Sequence, residues 1–409
     1  MPDQGALSDL RVLDLGHVLA GPFAGTLLGD LGADVIKIEH PERGDSLRRL
    51  GPKVDGVPLW WKVAGRNKRS LALDLRTPAG RDILLGLAAK SDALIENFRP
   101  GTLERWGLAP ERLWEANPRL VILRISGFGQ EGSGFGRPGF GRVGEALSGV
   151  VNLTGETDGR PLHFGFSLGD ATTGMMGALG ILAALHAARN TGSGDIIDLA
   201  LFEPLFRMVE WQLPMAEKLG RNTTRQGNRF PIGYAVGGSY ETADGPWVTV
   251  SAATETAITR LLHLVGGEAM AGDPRFADFD TRSEGDHMEQ IDRVIAGWIR
   301  LRTADDVLRV LHEHDVAAGL VYDPAMMLED AYLKERGAII EVEDEELTSL
   351  RMPGVMPRLV RGGGTVRWAG PRLGEHNDDI LRGLLDLPDE RIEELRRDRV
   401  IGGPVHEPR

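Results

Sequence analysis

Short apolar runs separated by polar, turn-forming residues recur through the first third of the chain. Residues 11–16, 34–39, 70–75, 93–96 and 120–125 are rich in Val, Ile and Leu and have the length of buried strands. Residues 22–31, 78–90 and 102–116 carry helical patterns between them, with Pro22 placed for a first helical turn. Apolar strands alternating with helices predict an α/β fold. Its core is a largely parallel sheet covered on both faces, with ligands bound beyond the carboxyl ends of the strands.

The longest apolar stretch differs in kind. The run Gly169-Asp170-Ala171-Thr172-Thr173-Gly174-Met175-Met176-Gly177 opens a Gly- and Ala-rich segment with a single carboxylate. It reads as a buried helix starting at Asp170 and ending near Asn190, where Arg189 supplies a terminal cation and Gly192 and Gly194 a stop. Gly174, Gly177 and Gly180 each cost about 1 kcal/mol against Ala inside a helix, so a neighbouring backbone is expected to approach there. With about fourteen apolar residues the stretch reads as too short to cross a bilayer. Asp170 has two compatible readings. As an N-cap it would accept hydrogen bonds from the first free amides. As a nucleophile it would be held ionised by the helix start, whose N–H groups could steady a nearby oxyanion.

Past residue 200 the pattern changes. A helix over 201–219 leads into a turn-rich run at 221–228, then the glycine-spotted Gly233-Tyr234-Ala235-Val236-Gly237-Gly238, a strand at 247–250 and amphipathic helices to about 314. The organisation expected is a large domain over 1–200, a linker helix at 201–229, a smaller α+β domain over 230–330, and a return segment at 331–409 that completes the large domain. The tail is read as a helix capped by Asn377 followed by a charged helix at 389–398.

Composition narrows the chemistry. The 409 residues hold 47 basic and 60 acidic side chains, a net charge of −13 that argues against nucleic acid or an anionic membrane as the main partner. Without cysteine there is no thiol nucleophile, disulfide or thiolate metal site, and the ten histidines show no His-Glu-x-x-His pattern, so no metal is expected. No basic-then-apolar leader is visible, and a cytoplasmic protein is the expectation. Gly16 to Gly21 has the spacing of a phosphate loop, but Pro22 and Phe23 stand where Lys and Ser or Thr belong. Gly127-Phe128-Gly129-Gln130-Glu131-Gly132 follows a strand but runs into more glycine rather than a helix, so it reads as a surface loop or lid and not a dinucleotide site. Cations are more suggestive. Arg66, Lys68 and Arg69 precede a strand, Arg76 follows it, and Asn97-Phe98-Arg99-Pro100-Gly101 follows the next, with Arg105 beyond. They form either a solvated face or a grip for a phosphorylated ligand at adjacent strand ends.

Several pieces in order resemble the class III coenzyme A transferases, the family that includes formyl-CoA transferase, carnitine CoA-transferase and the α-methylacyl-CoA racemases. They are Val12-Leu13-Asp14-Leu15, Ala20-Gly21-Pro22, residues 32–39, Gly44-Asp45, Asn67-Lys68-Arg69-Ser70, Leu73-Asp74-Leu75, residues 96–101, Ser126-Gly127-Phe128-Gly129, Gly169-Asp170 and Gly374-Glu375-His376. The resemblance implies a Rossmann-like large domain, a smaller domain, and two chains threaded through each other as an interlocked homodimer. It implies an acyl-CoA donor and a carboxylic acid acceptor as substrates, with no permanently bound cofactor. It places the nucleophile on Asp170 and the CoA contacts on Ala20, Lys68, Leu73, Asp74, Leu75, Arg76, Asn97, Phe98, Arg99 and Arg105. Phe98 could lie against adenine and the arginines against phosphate.

The expected reaction is transfer of CoA through aspartyl anhydride and aspartyl-CoA thioester intermediates. A racemase-type isomerase and a non-catalytic CoA-binding relative are the alternatives. The racemase branch carries a His-Asp pair of bases where this chain has Phe140 and Gly141, although Glu145 follows nearby. Formyl-CoA transferase carries Gln where this chain has Leu19, which disfavours formate and oxalate. Arg48, Arg49 and Arg142 are candidates for pairing with a second carboxylate, which would suit a dicarboxylic acid such as succinate.

Overall fold

Strands that are apolar on both faces need a helical cover on each side, and the computed structural model, which describes residues 5–230 and 235–403, supplies it. Strands β1 (Arg11–Asp14), β2 (Asp34–Glu39), β3 (Lys68–Ala72), β4 (Ala93–Glu96), β5 (Val121–Ser126) and β6 (Ile196–Ala200) form one sheet in the order β3-β2-β1-β4-β5-β6. Every neighbouring pair is parallel, with Leu13 opposite Ile36 on one side and Leu94 on the other. The helices that matter to the site are α1 (Ala20–Asp30), α2 (Pro78–Ala88), α3 (Gly141–Ser148), α4 (Leu168–Thr191), α5 (Asn377–Leu385) and α6 (Asp389–Arg397).

Alternate side chains divide between two cores. Leu13, Ile36, Leu71, Leu94 and Ile122 pack with Leu84 and Leu87 of α2, Ile380 and Leu381 of α5, and Ile392 and Leu395 of α6. Val12, Val35, Ile95 and Leu123 pack with Ala24 and Leu28 of α1 and Ile181 and Leu185 of α4. Residues 1–148, 165–209 and 331–409 make up this compact unit.

The second unit takes residues 149–164 and 210–330. In it β7 (Ser239–Glu241), β8 (Trp247–Ser251) and β9 (Ala317–Leu320) form an antiparallel sheet in the order β9-β8-β7. Val248 and Val250 pack there with Leu261, Ile295 and Val307 of the helices at 255–271, 287–300 and 304–313. Gly233 and Tyr234 of the glycine-spotted run lie outside the described residues.

Several boundaries differ from the expectation. The strand expected at 70–75 runs from Lys68 to Ala72, and Leu73 instead bridges to Ile401. The helix expected over 102–116 breaks into Thr102–Arg105 and Pro110–Ala116, because Gly107 takes a φ of 74° and Pro110 cannot continue a preceding turn. The helix expected over 201–219 likewise splits into Glu203–Met208 and Gln212–Leu219. Strand β6 and helix α3 were not anticipated. Asn377 is the first residue of α5 and not its cap. Its Oδ1 accepts from the Ala72 N–H at 2.9 Å and its Nδ2 donates to Gly402 O, so it ties the C-terminal segment to β3. Helix α4 begins two residues before Asp170 and spans 24 residues, long and apolar enough to cross a bilayer by length and composition. Its seating on α1, β5 and β6 uses part of that apolar surface.

Candidate active site

The strand order reverses between β1 and β4, which opens a crevice beyond their carboxyl ends. The loops that follow the two strands are tied together there. His17 N–H donates to Asn97 Oδ1 at 2.7 Å, and Asn97 Nδ2 donates to His17 O at 2.8 Å. The Phe98 ring lies 5.4 Å from His17 and meets Trp106 edge-on at 5.2 Å. Burial, and then the Lys37 charge, lower the His17 pKa, so its ring is neutral at pH 7.

Beneath this loop sits a buried network of charges. Lys68 Nζ contacts Asp14 Oδ2 at 2.8 Å and Pro22 O at 2.6 Å. Lys37 reaches Gly16 O, Asp45 Oδ2 at 3.2 Å and Asp14 Oδ1 at 3.6 Å. Asp45 Oδ1 accepts from Val18 N–H at 2.9 Å, and Val18 has a φ of 64°, a left-handed conformation rare for a β-branched residue. Burial would raise the Asp45 pKa, but Lys37 and the Leu47 amide outweigh it and hold this carboxyl below the usual range. The network therefore fixes the backbone of residues 16–19. Its sequence signal is a charge in each of three adjacent apolar strands, Asp14, Lys37 and Lys68, of which Lys68 alone stands among the cations read above as a solvated face or a phosphate grip.

The residues expected to contact CoA fall on loops at the carboxyl edge of the sheet, with one exception. Ala20 opens α1; Leu73, Asp74, Leu75 and Arg76 follow β3; Asn97, Phe98 and Arg99 follow β4, with Arg105 in the short helix beyond. Arg76, Arg99 and Arg105 face solvent. Arg76 pairs with Asp74 at 2.6 Å and touches His40 at 2.7 Å, and Arg105 donates to Thr102 Oγ1 at 2.8 Å. Leu73 and Leu75 are buried. Lys68 is the exception, because its ammonium is fully enclosed by Asp14 and Pro22.

Asp170 is the third residue of α4 and makes no capping bond. The cap function falls to Glu145 of α3, buried, whose Oε1 accepts from Gly169 N–H at 3.2 Å. The starts of α3 and α4 meet backbone to backbone: a Cβ on Gly169 would lie 2.7 Å from Gly141 O. A Cβ on Gly141 would press on Asp170 Oδ2 and lie 2.9 Å from its Cγ, so the carboxylate rests on the bare backbone of Gly141. Phe140 stands exposed beside it, and neither residue can act as a base.

Among the described residues the half-buried Asp170 carboxylate has no hydrogen bond or ion pair. Burial and then the charge of Glu145 push its pKa up to about 6. One turn further along, a Cβ on Gly174 would come within 2.8 Å of Ala20 O, where the crevice loop enters α1. Gly177 and Gly180 lie against the side chains of Leu123 of β5 and Ile197 of β6, so the backbone approach expected at the three glycines is present at Gly174, and the other two make room for side chains. The arrangement presents an unpaired, basic carboxylate about 6 Å of helix rise from the loop at the reversal point.

Residues 7–377 match CoA-transferase family III. The succinyl-CoA–D-citramalate CoA-transferase of Chloroflexus aurantiacus is 42% identical over 396 residues, which cover 97% of this chain and 98% of that protein. The beta subunit of the succinyl-CoA–L-malate CoA-transferase of the same organism is 38% identical over 398 residues, covering 97% and 98%. A CAIB/BAIF family protein from Brucella suis, solved by crystallography, superposes with a TM-score of 0.80 at 31% identity, covering 93% of this chain and 100% of that one. The chain thus belongs to CoA-transferase family III and is an enzyme that moves CoA between an acyl-CoA and a carboxylate.

Proposed function

We propose that the protein takes CoA from succinyl-CoA and passes it to a dicarboxylic acid, with Asp170 as the covalent carrier. The names of the two relatives support the substrate class, since both pair succinyl-CoA with a dicarboxylic acceptor. The carrier role rests on one observation: the Asp170 carboxylate sits unpaired on Gly141 at the start of two helices.

The reaction then follows from carboxylate chemistry. An Asp170 oxygen attacks the thioester carbonyl, the C–S bond breaks, and CoA thiolate leaves behind a mixed anhydride. The thiolate attacks the aspartyl carbonyl and expels succinate, giving an aspartyl-CoA thioester. The acceptor carboxylate attacks that thioester to form a second anhydride and frees the thiolate again. Attack on the acceptor acyl carbon yields the new acyl-CoA and restores the Asp170 carboxylate. First-turn amides of α3 and α4 would stabilise the oxyanions. Arg76, Arg99 and Arg105 would hold the CoA phosphates, Phe98 would lie against adenine, and the loops at Ala20, residues 73–75 and Asn97 would line the rest. Lys68 contributes from below by bracing Asp14 and Pro22.

The assembly proposed is an interlocked homodimer. Exposed apolar residues on the elements that carry the site, Val143 and Leu147 of α3 with Met175 and Leu179 of α4, support a second chain as their cover. The test of the carrier is trapping with hydroxylamine after incubation with succinyl-CoA. Mass spectrometry should find a hydroxamate on Asp170, and Asp170→Ala should lose both label and turnover. Wild-type turnover in that variant would overturn the proposal.

A further inference from the structure

Resting on the reading of Asp170 as the carrier, we infer that Arg142 is the residue that selects dicarboxylic substrates, by pairing with the carboxylate that does not react. Three arginines were open to such a role, and the structure occupies two of them. Arg48 donates to both oxygens of Glu39 at 2.7 Å and to Pro371 O at 2.8 Å, with its guanidinium 3.8 Å from the centre of the Trp61 ring. Arg49 lies on the same turn and is bonded to Arg43 O and, at 3.5 Å, to Ser46 Oγ. Other arginines of the sheet are also paired: Arg66 with Asp30, Arg69 with Asp34, and Arg124 with Glu96 and Glu104. Arg142 is exposed, and among the described residues it has neither a hydrogen bond nor an ion pair.

Its place on α3 sets it beside the face that meets the start of α4. Gly144 faces Leu201, Gly141 faces the Asp170 carboxylate, and Glu145 reaches Gly169. At about 100° per residue, going round the helix from Gly144 through Gly141 to Glu145 brings Arg142 next. Arg142 therefore flanks the start of α4 on the side away from Leu201, one residue from the glycine beneath the nucleophile.

Electrostatics give that cation a task. Asp170 and Glu145 already make the site negative, and a dicarboxylate brings a second charge that takes no part in acyl transfer. Without a cation beside it, that charge would be repelled. A guanidinium matches a carboxylate with two parallel hydrogen bonds. Succinyl-CoA and a dicarboxylic acceptor bind one after the other, and each carries such a distal group, so one arginine can serve both halves of the reaction.

The test follows isotope-labelled succinate entering unlabelled succinyl-CoA, compared with monomethyl succinate as acceptor. Wild-type enzyme should favour succinate over the ester in kcat/KM. With succinyl-CoA saturating, Arg142→Gln should lower kcat/KM for succinate by about 10- to 100-fold, mainly through KM, and that for the ester much less, and Arg142→Lys should recover part of the loss. The inference is overturned if Arg142→Gln keeps the wild-type preference, if it loses both acceptors equally, or if wild-type enzyme shows no preference. Hydroxylamine labelling of Asp170 is measured in the same samples. Its absence from wild-type enzyme would strike the carrier reading, whereas normal labelling with an unchanged preference would strike Arg142 alone.

Discussion

Asp170 bears a charge that its surroundings disfavour, and that is what would make it reactive. Burial and Glu145 raise its pKa from 3.8 to about 6, so the ionised form is more basic than an ordinary aspartate. If it is the nucleophile, kcat/KM for succinyl-CoA should rise with pH through about 6. Glu145→Gln keeps an acceptor for Gly169 N–H but removes the charge, so the acid limb of that profile should move to lower pH. The same shift acts on stability with a definite sign. Between about pH 4 and 6 the native state holds a proton that the unfolded chain has released, so Asp170 makes stability fall as pH rises across that window. Asp170→Asn should therefore abolish transfer yet stabilise the fold at pH 8 by roughly 1 kcal/mol, after discounting for partial exposure, and the gain should vanish below about pH 4. Thermal melts at the two pH values check this. Gly141→Ala separates geometry from folding, because the atoms nearest the new methyl group all belong to the movable carboxylate of Asp170. Activity should fall about 100-fold with the melting temperature nearly unchanged.

At the level of elements, the site is held by how closely α4 can sit on its neighbours. Gly174 meets backbone, Ala20 O, which cannot swing aside as a side chain can. Gly174→Ala should push α1 and α4 apart and cost about 1–3 kcal/mol in chemical denaturation. CoA affinity should weaken with it, since α1 begins at the crevice loop. Those glycines were legible in the sequence because their cost inside an apolar helix demanded a reason. Helix α3 was not legible. Its buried positions, Gly141, Gly144, Glu145 and Ser148, have helical spacing, but none carries an apolar side chain, so no hydrophobic periodicity marks a helix there. They are small or polar because α3 packs on backbone and on the nucleophile, where larger side chains would not fit. A periodicity of small residues, in place of hydrophobic ones, was the signal available. Strand β6 was hidden differently: Asp198 interrupts its apolar run, and its Oδ atoms accept from Gln130 N–H. The parallel sheet and the loops that follow its strands were readable because both faces of each strand are buried. The fate of Lys68 was not, because a surface cation and a buried one look alike until their partner is known.

For the whole molecule, the path of the chain bears on assembly. The first unit closes only when the C-terminal segment returns, and Ile380, Leu381, Ile392 and Leu395 from that segment complete one of its two cores. On the opposite face, the helix that carries Asp170 leaves Met175 and Leu179 at 49% and 61% exposure, an arrangement that water alone does not favour. A second chain over α4 would bury both residues within three turns of the nucleophile and would make assembly a condition of activity. Sedimentation should then give a particle of twice the 44.5 kDa chain mass. The double substitution Met175→Glu with Leu179→Glu should shift it toward monomer and lower turnover in proportion, because charge on that face cannot be buried unpaired. A monomeric wild-type enzyme would rule out the interlocked dimer. A monomeric double variant with full activity would instead show that one chain carries the complete site.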